Sequence, residues 1–177
     1  MGRFQGIVIS GFGGQGILSV GKILAQAGMI DGLEVSWLPS YGPEMRGGTA
    51  YVHVILSDEK IGSPLLNSST ALIAMNTPSF EKYSEMVVDG GIVIVDGSLV
   101  DGQLDGDRRE FYSIPATALA DKYSSRFANI ILVGKLIERT GIVEVGSFEK
   151  ALYAVLPKKY QNMIPEEMEM LKLGMGI

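Results

Sequence analysis

Two hydrophobic rhythms alternate along the chain: continuous or every-second-residue spacing that marks strands, and three-and-four spacing that marks helices. Phe4 to Ser10 is predicted as a short buried strand, because Ile7, Val8 and Ile9 form an unbroken β-branched run between glycines. Gly11-Phe12-Gly13-Gly14-Gln15-Gly16 follows at once. From Ile17 to Ile30 the residues Ile17, Val20, Ile23, Leu24, Ala27 and Ile30 then share one helical face. Gly32 is placed as the left-handed cap of that helix. Glu34 to Leu38 is a second strand, which Pro39 is expected to stop. Strict alternation returns from Thr49 to Leu56, with Ala50, Val52, Val54 and Leu56 on one face and Thr49, Tyr51, His53 and Ile55 on the other.

The second half continues the pattern. Asp58-Glu59-Lys60 is a turn, and Ala71 to Met75 is a buried strand. Thr77 is expected to cap a helix that has Pro78 as its first residue and runs to about Val88. Gly90-Gly91 separates that helix from a strand at Ile92 to Val95, and the Gly- and Asp-rich segment Val100 to Arg109 reads as a loop before the strand Phe111 to Ile114. Helices are predicted at Ala116 to Tyr123, at Asn129 to Arg139 with Gly141 as cap, and at Phe148 to Leu156 with Ser147 as N-cap. The tail after Pro157 holds a short helix ending at Gly174, whose Met168, Leu171 and Met175 form a stripe that packs on its own domain or docks on a neighbour. Strands alternating with helices imply an α/β fold: a Rossmann-like three-layer sandwich with a mostly parallel sheet, in a single domain over residues 1–157 followed by a C-terminal tail, 158–177.

Composition removes whole classes of chemistry. The 177 residues include no cysteine and one histidine, His53, which excludes thiolate metal sites, iron-sulfur ligation and cysteine nucleophiles. A net charge of -5 without a basic stripe makes nucleic acid a poor partner. No apolar run approaches the roughly 18 residues that a membrane span requires, and the start shows no signal-peptide pattern, so a cytoplasmic protein without membrane attachment is expected. His53 is conceivable as a general base, although a lone strand histidine is more often a satisfied structural residue.

Chemistry therefore concentrates in two glycine-rich segments. Gly11, Gly13 and Gly16 match G-x-G-x-x-G between a strand and a helix, where free N–H groups at the helix start favour an anion. A dinucleotide-binding domain normally adds an acidic residue at the carboxyl end of the second strand, but here Glu34 opens that strand and Trp37-Leu38-Pro39 closes it. The second segment, Ser40-Tyr41-Gly42-Pro43-Glu44-Met45-Arg46-Gly47-Gly48, is expected to share a crevice with the first at the carboxyl edge of the sheet. Arg46 either clamps a carboxylate or phosphate, with Glu44 as its neighbour, or forms an internal ion pair with Glu44.

Together, Gly11 to Gly16 and Ser40 to Ala50 resemble the gamma subunit of 2-oxoacid:ferredoxin (acceptor) oxidoreductases, the pyruvate/ketoisovalerate/2-oxoglutarate group, and the likeness extends through Asn129 to Gly141. The resemblance covers the chain up to Pro157 and supplies no counterpart for the tail. It implies a subunit inactive alone, assembling with alpha and beta subunits that hold thiamine diphosphate and a ferredoxin-like delta subunit that holds iron-sulfur clusters. The complex would decarboxylate a 2-oxoacid oxidatively, transfer the acyl group to coenzyme A and reduce ferredoxin or a similar acceptor. No cofactor is expected on this chain alone. The two loops would close over the active site or the coenzyme entry, with the N–H groups of Gly13, Gly14, Gln15 and Gly16 and the Arg46 guanidinium as anion contacts. An isolated chain is expected to self-associate through surface meant for partners. Alternatives are an independent nucleotide-dependent dehydrogenase, an indolepyruvate-type subunit, and an assembly module whose loops touch only protein.

Overall fold

The structure, a computed structural model, describes residues 2–41, 48–103 and 108–177. Six strands form one sheet in the order β2-β3-β1-β4-β5-β6: β1 Phe4–Phe12, β2 Glu34–Tyr41, β3 Thr49–Ser57, β4 Ser69–Ala74, β5 Val87–Asp96 and β6 Glu110–Ile114. β1, β4, β5 and β6 pair in parallel, whereas β3 runs antiparallel to both of its neighbours, β1 and β2. The helices are α1 Ile17–Ile30, α2 Thr77–Tyr83, α3 Ala116–Ala120, α4 Ala128–Thr140, α5 Val145–Val155 and α6 Ile164–Met175. The expected α/β sandwich with a mostly parallel sheet is the observed fold.

The two faces of the sheet are covered unequally. Ile7, Ile9, Val52, Val54, Leu56, Ala71, Ile73 and Ile94 pack against α1, α4, α5 and α6 in one continuous core, with Phe127, Leu132, Phe148 and Leu171 on the helix side. The opposite face buries Val8, Leu72, Val93 and Val95 under Phe80 and Tyr83 of α2, with Val87 and Val100 beside them, a smaller layer. Both faces of β3 contribute, which is why its alternation reads cleanly and yet Ile55 and His53 are buried too.

Several boundaries differ from expectation for identifiable reasons. Pro39 does not end β2, because β2 is an edge strand paired only with β3, and an edge accommodates a residue without an N–H. The cap of α2 is Asn76, whose Oδ1 accepts from Ser79 N at 2.8 Å, while the Thr77 hydroxyl is engaged with Leu99 O and Asp101 N. α2 stops at Tyr83, a 3-10 turn covers Ser84–Met86, and Gly90-Gly91 lie inside β5 at a register shift, Gly90 having φ 80. α3 ends at Ala120 rather than Tyr123. The helix expected at Phe148 begins at Val145, with Glu144 as cap residue. Ser147 is no cap: its hydroxyl donates to Asp31 Oδ1, and Asp31 Oδ2 accepts from Glu144 N at 2.7 Å, so the end of α1 stabilises the start of α5.

The tail is built into the core. α6 crosses α4 with glycine at both points of closest approach: a Cβ on Gly134 would overlap the Leu171 carbonyl, and one on Gly174 the Ile131 carbonyl. Glycine is required at such backbone-to-backbone contacts because nothing there can move aside. Ile164, Met170 and Leu171 are buried against the same core as α4.

Candidate functional site

β1 runs two residues past the expected Ser10, and its last pair, Phe12 with Thr49, brings the first glycine segment to the start of β3. Gly13 N donates to Gly48 O at 3.2 Å, so the first glycine segment and the last residue of the second touch directly. Ser40 and Tyr41 end β2 one strand farther out, in register with Tyr51 and Ala50. Gly42, Pro43, Glu44, Met45, Arg46 and Gly47 lie outside the described residues, and with them the Glu44 to Arg46 pairing.

Within residues 11–16, packing and exposure divide cleanly. Gly11 is buried, and a Cβ there would meet Gln15, Ile17 and Met75. Gly16 has φ 72, and a Cβ on it would overlap the Asn129 amide, so this position serves close packing of α4 on the loop. Gly14 has φ 97 with open space where a Cβ would stand. The Gln15 side chain braces the turn, accepting from Phe12 N at 2.6 Å and donating to Met75 O at 3.2 Å. Gly13 N and Gln15 N, expected as anion donors, are committed to Gly48 O and Phe12 O. Gly14 and Gly16 remain, with no acceptor for their N–H groups among the described residues, followed by the unpaired N–H groups of the first turn of α1. No acidic residue stands in that turn to compete with an incoming anion.

Two pockets open on either side of this loop, and Arg126 lines both. One, of about 340 Å³, lies between the loop, the start of α1, the start of α4 and the tail, and is lined by Gly14, Gly16, Ser19, Asn129, Tyr160 and Glu167 among others. The second, about 200 Å³, is bounded by Gln15, Met75, Leu99 and Thr117. Arg126 is exposed, sits in the 3-10 turn Ser125–Phe127 just before α4, and forms no ion pair among the described residues. Asn129 is buried; its Nδ2 donates to Gln15 O at 3.0 Å while its Oδ1 has no partner among the described residues. Glu167 is also buried, its Oε2 equally without one, and burial pushes its carboxyl up to about 7.

Sequence reasoning placed a cation at Arg46 and did not single out Arg126, Asn129 or Glu167 as site residues. Their only signal was weak: Asn129 heads a predicted helix and Glu167 sits in an acidic pair, but it takes tertiary folding to bring both to the loop. His53 is a structural residue. It is buried, its Nδ1 accepts from Leu66 N at 3.4 Å, its ring packs 5.4 Å from Tyr51, and burial lowers its pKa.

The topology also disfavours the dehydrogenase alternative. β3 separates β2 from β1, so the end of β2, where a ribose-binding acid would stand, lies two strands from the glycine loop. Among the described residues the one acid fully buried at a strand end, Asp96 on β5, is occupied by Ser98 N, Thr117 N and the Thr117 hydroxyl. Among the described residues no cluster of three potential metal ligands exists, and no helix is long and apolar enough to cross a membrane.

Comparison with known proteins agrees with this geometry. Residues 6–177 match the family described as pyruvate ferredoxin/flavodoxin oxidoreductase, a span that includes the tail. The ketoisovalerate oxidoreductase subunit VorA of Methanothermobacter thermautotrophicus is 36% identical over 171 residues, 95% of this chain and 35% of that protein. The chain thus spans about a third of the length of that curated relative. The gamma subunit of a keto/oxoacid ferredoxin oxidoreductase from Geobacter sulfurreducens superposes with a TM-score of 0.82 at 30% identity, covering 98% of this chain and 95% of that one. The 2-oxoglutarate:ferredoxin oxidoreductase of Magnetococcus marinus, solved with 2-oxoglutarate, coenzyme A and succinyl-CoA bound, superposes with a TM-score of 0.87 at 26% identity over 98% of this chain and 31% of that one. With its two adjoining glycine segments and a single six-stranded sheet, the chain belongs to the pyruvate ferredoxin/flavodoxin oxidoreductase family.

Proposed function

We propose that the chain is the gamma-type subunit of a 2-oxoacid:ferredoxin oxidoreductase. In this reading it assembles with alpha and beta subunits carrying thiamine diphosphate and a ferredoxin-like delta subunit carrying the iron-sulfur clusters. The complex oxidatively decarboxylates a 2-oxoacid, forms an acyl-CoA and passes the electrons to ferredoxin. The chain alone is inactive in this reading, since it offers no cysteine for a cluster and no acid-base set among the described residues. Its contribution is to bind coenzyme A at the carboxyl edge of the sheet, with the N–H groups of Gly14 and Gly16, the first turn of α1 and Arg126 facing phosphate.

The observation that supports this best is the convergence there of unengaged backbone donors and an exposed arginine beside two pockets. Phe12 and Leu99, exposed next to the loop, suit the same edge to meeting another polypeptide. The test is co-expression with the partner subunits and measurement of coenzyme-dependent oxoacid oxidation. Arg126→Ala should raise the KM for coenzyme A about tenfold or more with kcat largely retained, the loss of one charge-assisted contact. Unchanged KM and unchanged assembly would refute the assignment of Arg126.

A further inference from the structure

The two lateral edges of the sheet differ in protection. β6, beyond β5, is 5 residues long and opens on Glu110, which is ion-paired with Arg139 at 2.8 Å. Short length and charge are what keep an edge from pairing with another chain. β2, at the other side, is 8 residues long and carries no charged residue after Glu34 at its start. Met29 and Ile30, at the end of the α1 helix that packs on β2, are 59% and 38% exposed.

The ladder decides which backbone groups of β2 are open. A strand residue turns its N–H and C=O to the same side, and its successor turns both to the other. On β1, Gly6 N donates to the Thr70 hydroxyl of β4 at 3.0 Å, and Ser10 O accepts from Met75 N just past β4 at 2.8 Å, so Gly6, Val8 and Ser10 face β4. Ile7 and Ile9 therefore face β3, opposite Val54 and Val52. The alternate residues of β3, Tyr51, His53 and Ile55, face β2, opposite Ser40, Leu38 and Ser36.

Val35, Trp37 and Pro39 are left to turn their backbones outward. Proline stands in that row without loss, because no ladder bond needs its N–H. Val35 and Trp37 each present an N–H and a C=O that find no partner among the described residues. Their side chains lie against Gly28 and Gly21 of α1, so they point to the helix-covered face, and Ser36 and Leu38 point to the other.

We propose that this open row pairs with the same row of a second copy of the chain, antiparallel about a two-fold axis at Ser36, joining the two sheets into one. The row complements itself. Val35 lies opposite Trp37 of the second copy, both backbone bonds are exchanged in each such pair, and a β-branched side chain meets an aromatic one on the α1 face. On the other face Ser36 meets Ser36 and Glu34 meets Leu38, so no like charges are set together. An interface that uses the same patch on both copies closes as a dimer. Pairing ends where Pro39 withholds a donor, which leaves the carboxyl edge with its glycine segments open, and the inference is independent of the coenzyme reading.

The test is sedimentation equilibrium of the full chain together with cysteine crosslinking. The wild type should be a dimer at micromolar concentration. Val35→Pro removes an outward donor from each copy without touching the β3 ladder, and Ser36→Lys sets two ammonium groups together on the axis. Each should weaken the dimer about tenfold or more, with the circular dichroism of the fold retained. The chain has no cysteine of its own. Ser36 would face its counterpart in a non-hydrogen-bonded pair, where Cα atoms stand about 4.5 Å apart, within disulfide reach. Ser36→Cys should therefore oxidise to a covalent dimer about tenfold or more faster than Glu149→Cys, at an exposed position on α5. A monomeric wild type, a dimer at full strength in both Val35→Pro and Ser36→Lys, or equal crosslinking of the two cysteine variants would overturn the inference. A chain that is monomeric alone but gains amide protection along Val35 to Trp37 in the assembled complex would overturn it as well, in favour of a strand supplied by another subunit.

Discussion

Burial of the Glu167 carboxyl in the first turn of α6 sets a pH dependence of stability that can be read at one residue. Unfolded, the group ionises near 4.5; folded, it ionises near 7, because desolvation disfavours the anion. Between those values the unfolded chain releases its proton while the fold retains it, so stability falls as pH rises through this window and levels off above about 7. Glutamine carries no such penalty. Glu167→Gln should therefore match wild type near pH 4 and exceed it at pH 8 by about 1–2 kcal/mol, less than the full shift implies because solvent screens part of the charge, measured by denaturant unfolding at both pH values. A gain that is the same at both would show that ionisation is not its source. A second carboxyl matters through its hydrogen bonds: Asp96, at the end of β5, accepts from Thr117 N, the Thr117 hydroxyl and Ser98 N. Asp96→Ala removes the acceptor for three donors and should destabilise by about 2–4 kcal/mol, seen as a lowered melting temperature.

At the scale of elements, the crossing of α6 on α4 is the sharpest packing constraint. Gly134→Ala or Gly174→Ala would drive a methyl group into a backbone carbonyl of the facing helix, and each should cost about 1–3 kcal/mol or more and expose the tail to proteolysis. Gly146 on α5 has open space around a would-be Cβ, so Gly146→Ala should be neutral or stabilise by up to about 1 kcal/mol. Near-equal effects in thermal melts would contradict the crossing. These elements also show what the sequence could reveal. α1 was legible to the residue, because its apolar period and its flanking glycines agree. The end of β2 was not, since whether proline stops a strand depends on edge position, which only the assembled sheet decides. Asn76 and Thr77 are both good caps, and sequence alone could not choose between neighbours. The insertion of antiparallel β3 between β2 and β1 was likewise invisible, since alternation reports a strand's faces and not its direction.

At the scale of the molecule, the sheet delivers the ends of β1 and β2 and the beginning of β3 to one edge, and there the two glycine segments adjoin through Gly13 and Gly48. The glycine loop was recognisable from its motif, whereas Arg126, Asn129 and Glu167 reach it from distant parts of the chain and carry no local signature. The proposed role of this edge in holding coenzyme A is tested most directly by amide hydrogen exchange on the assembled complex, with and without the coenzyme. The account predicts coenzyme-dependent protection of the amides from Gly14 to Leu18 and of those around Arg126. Protection elsewhere in the complex, with these two segments exchanging at unchanged rates, would contradict it.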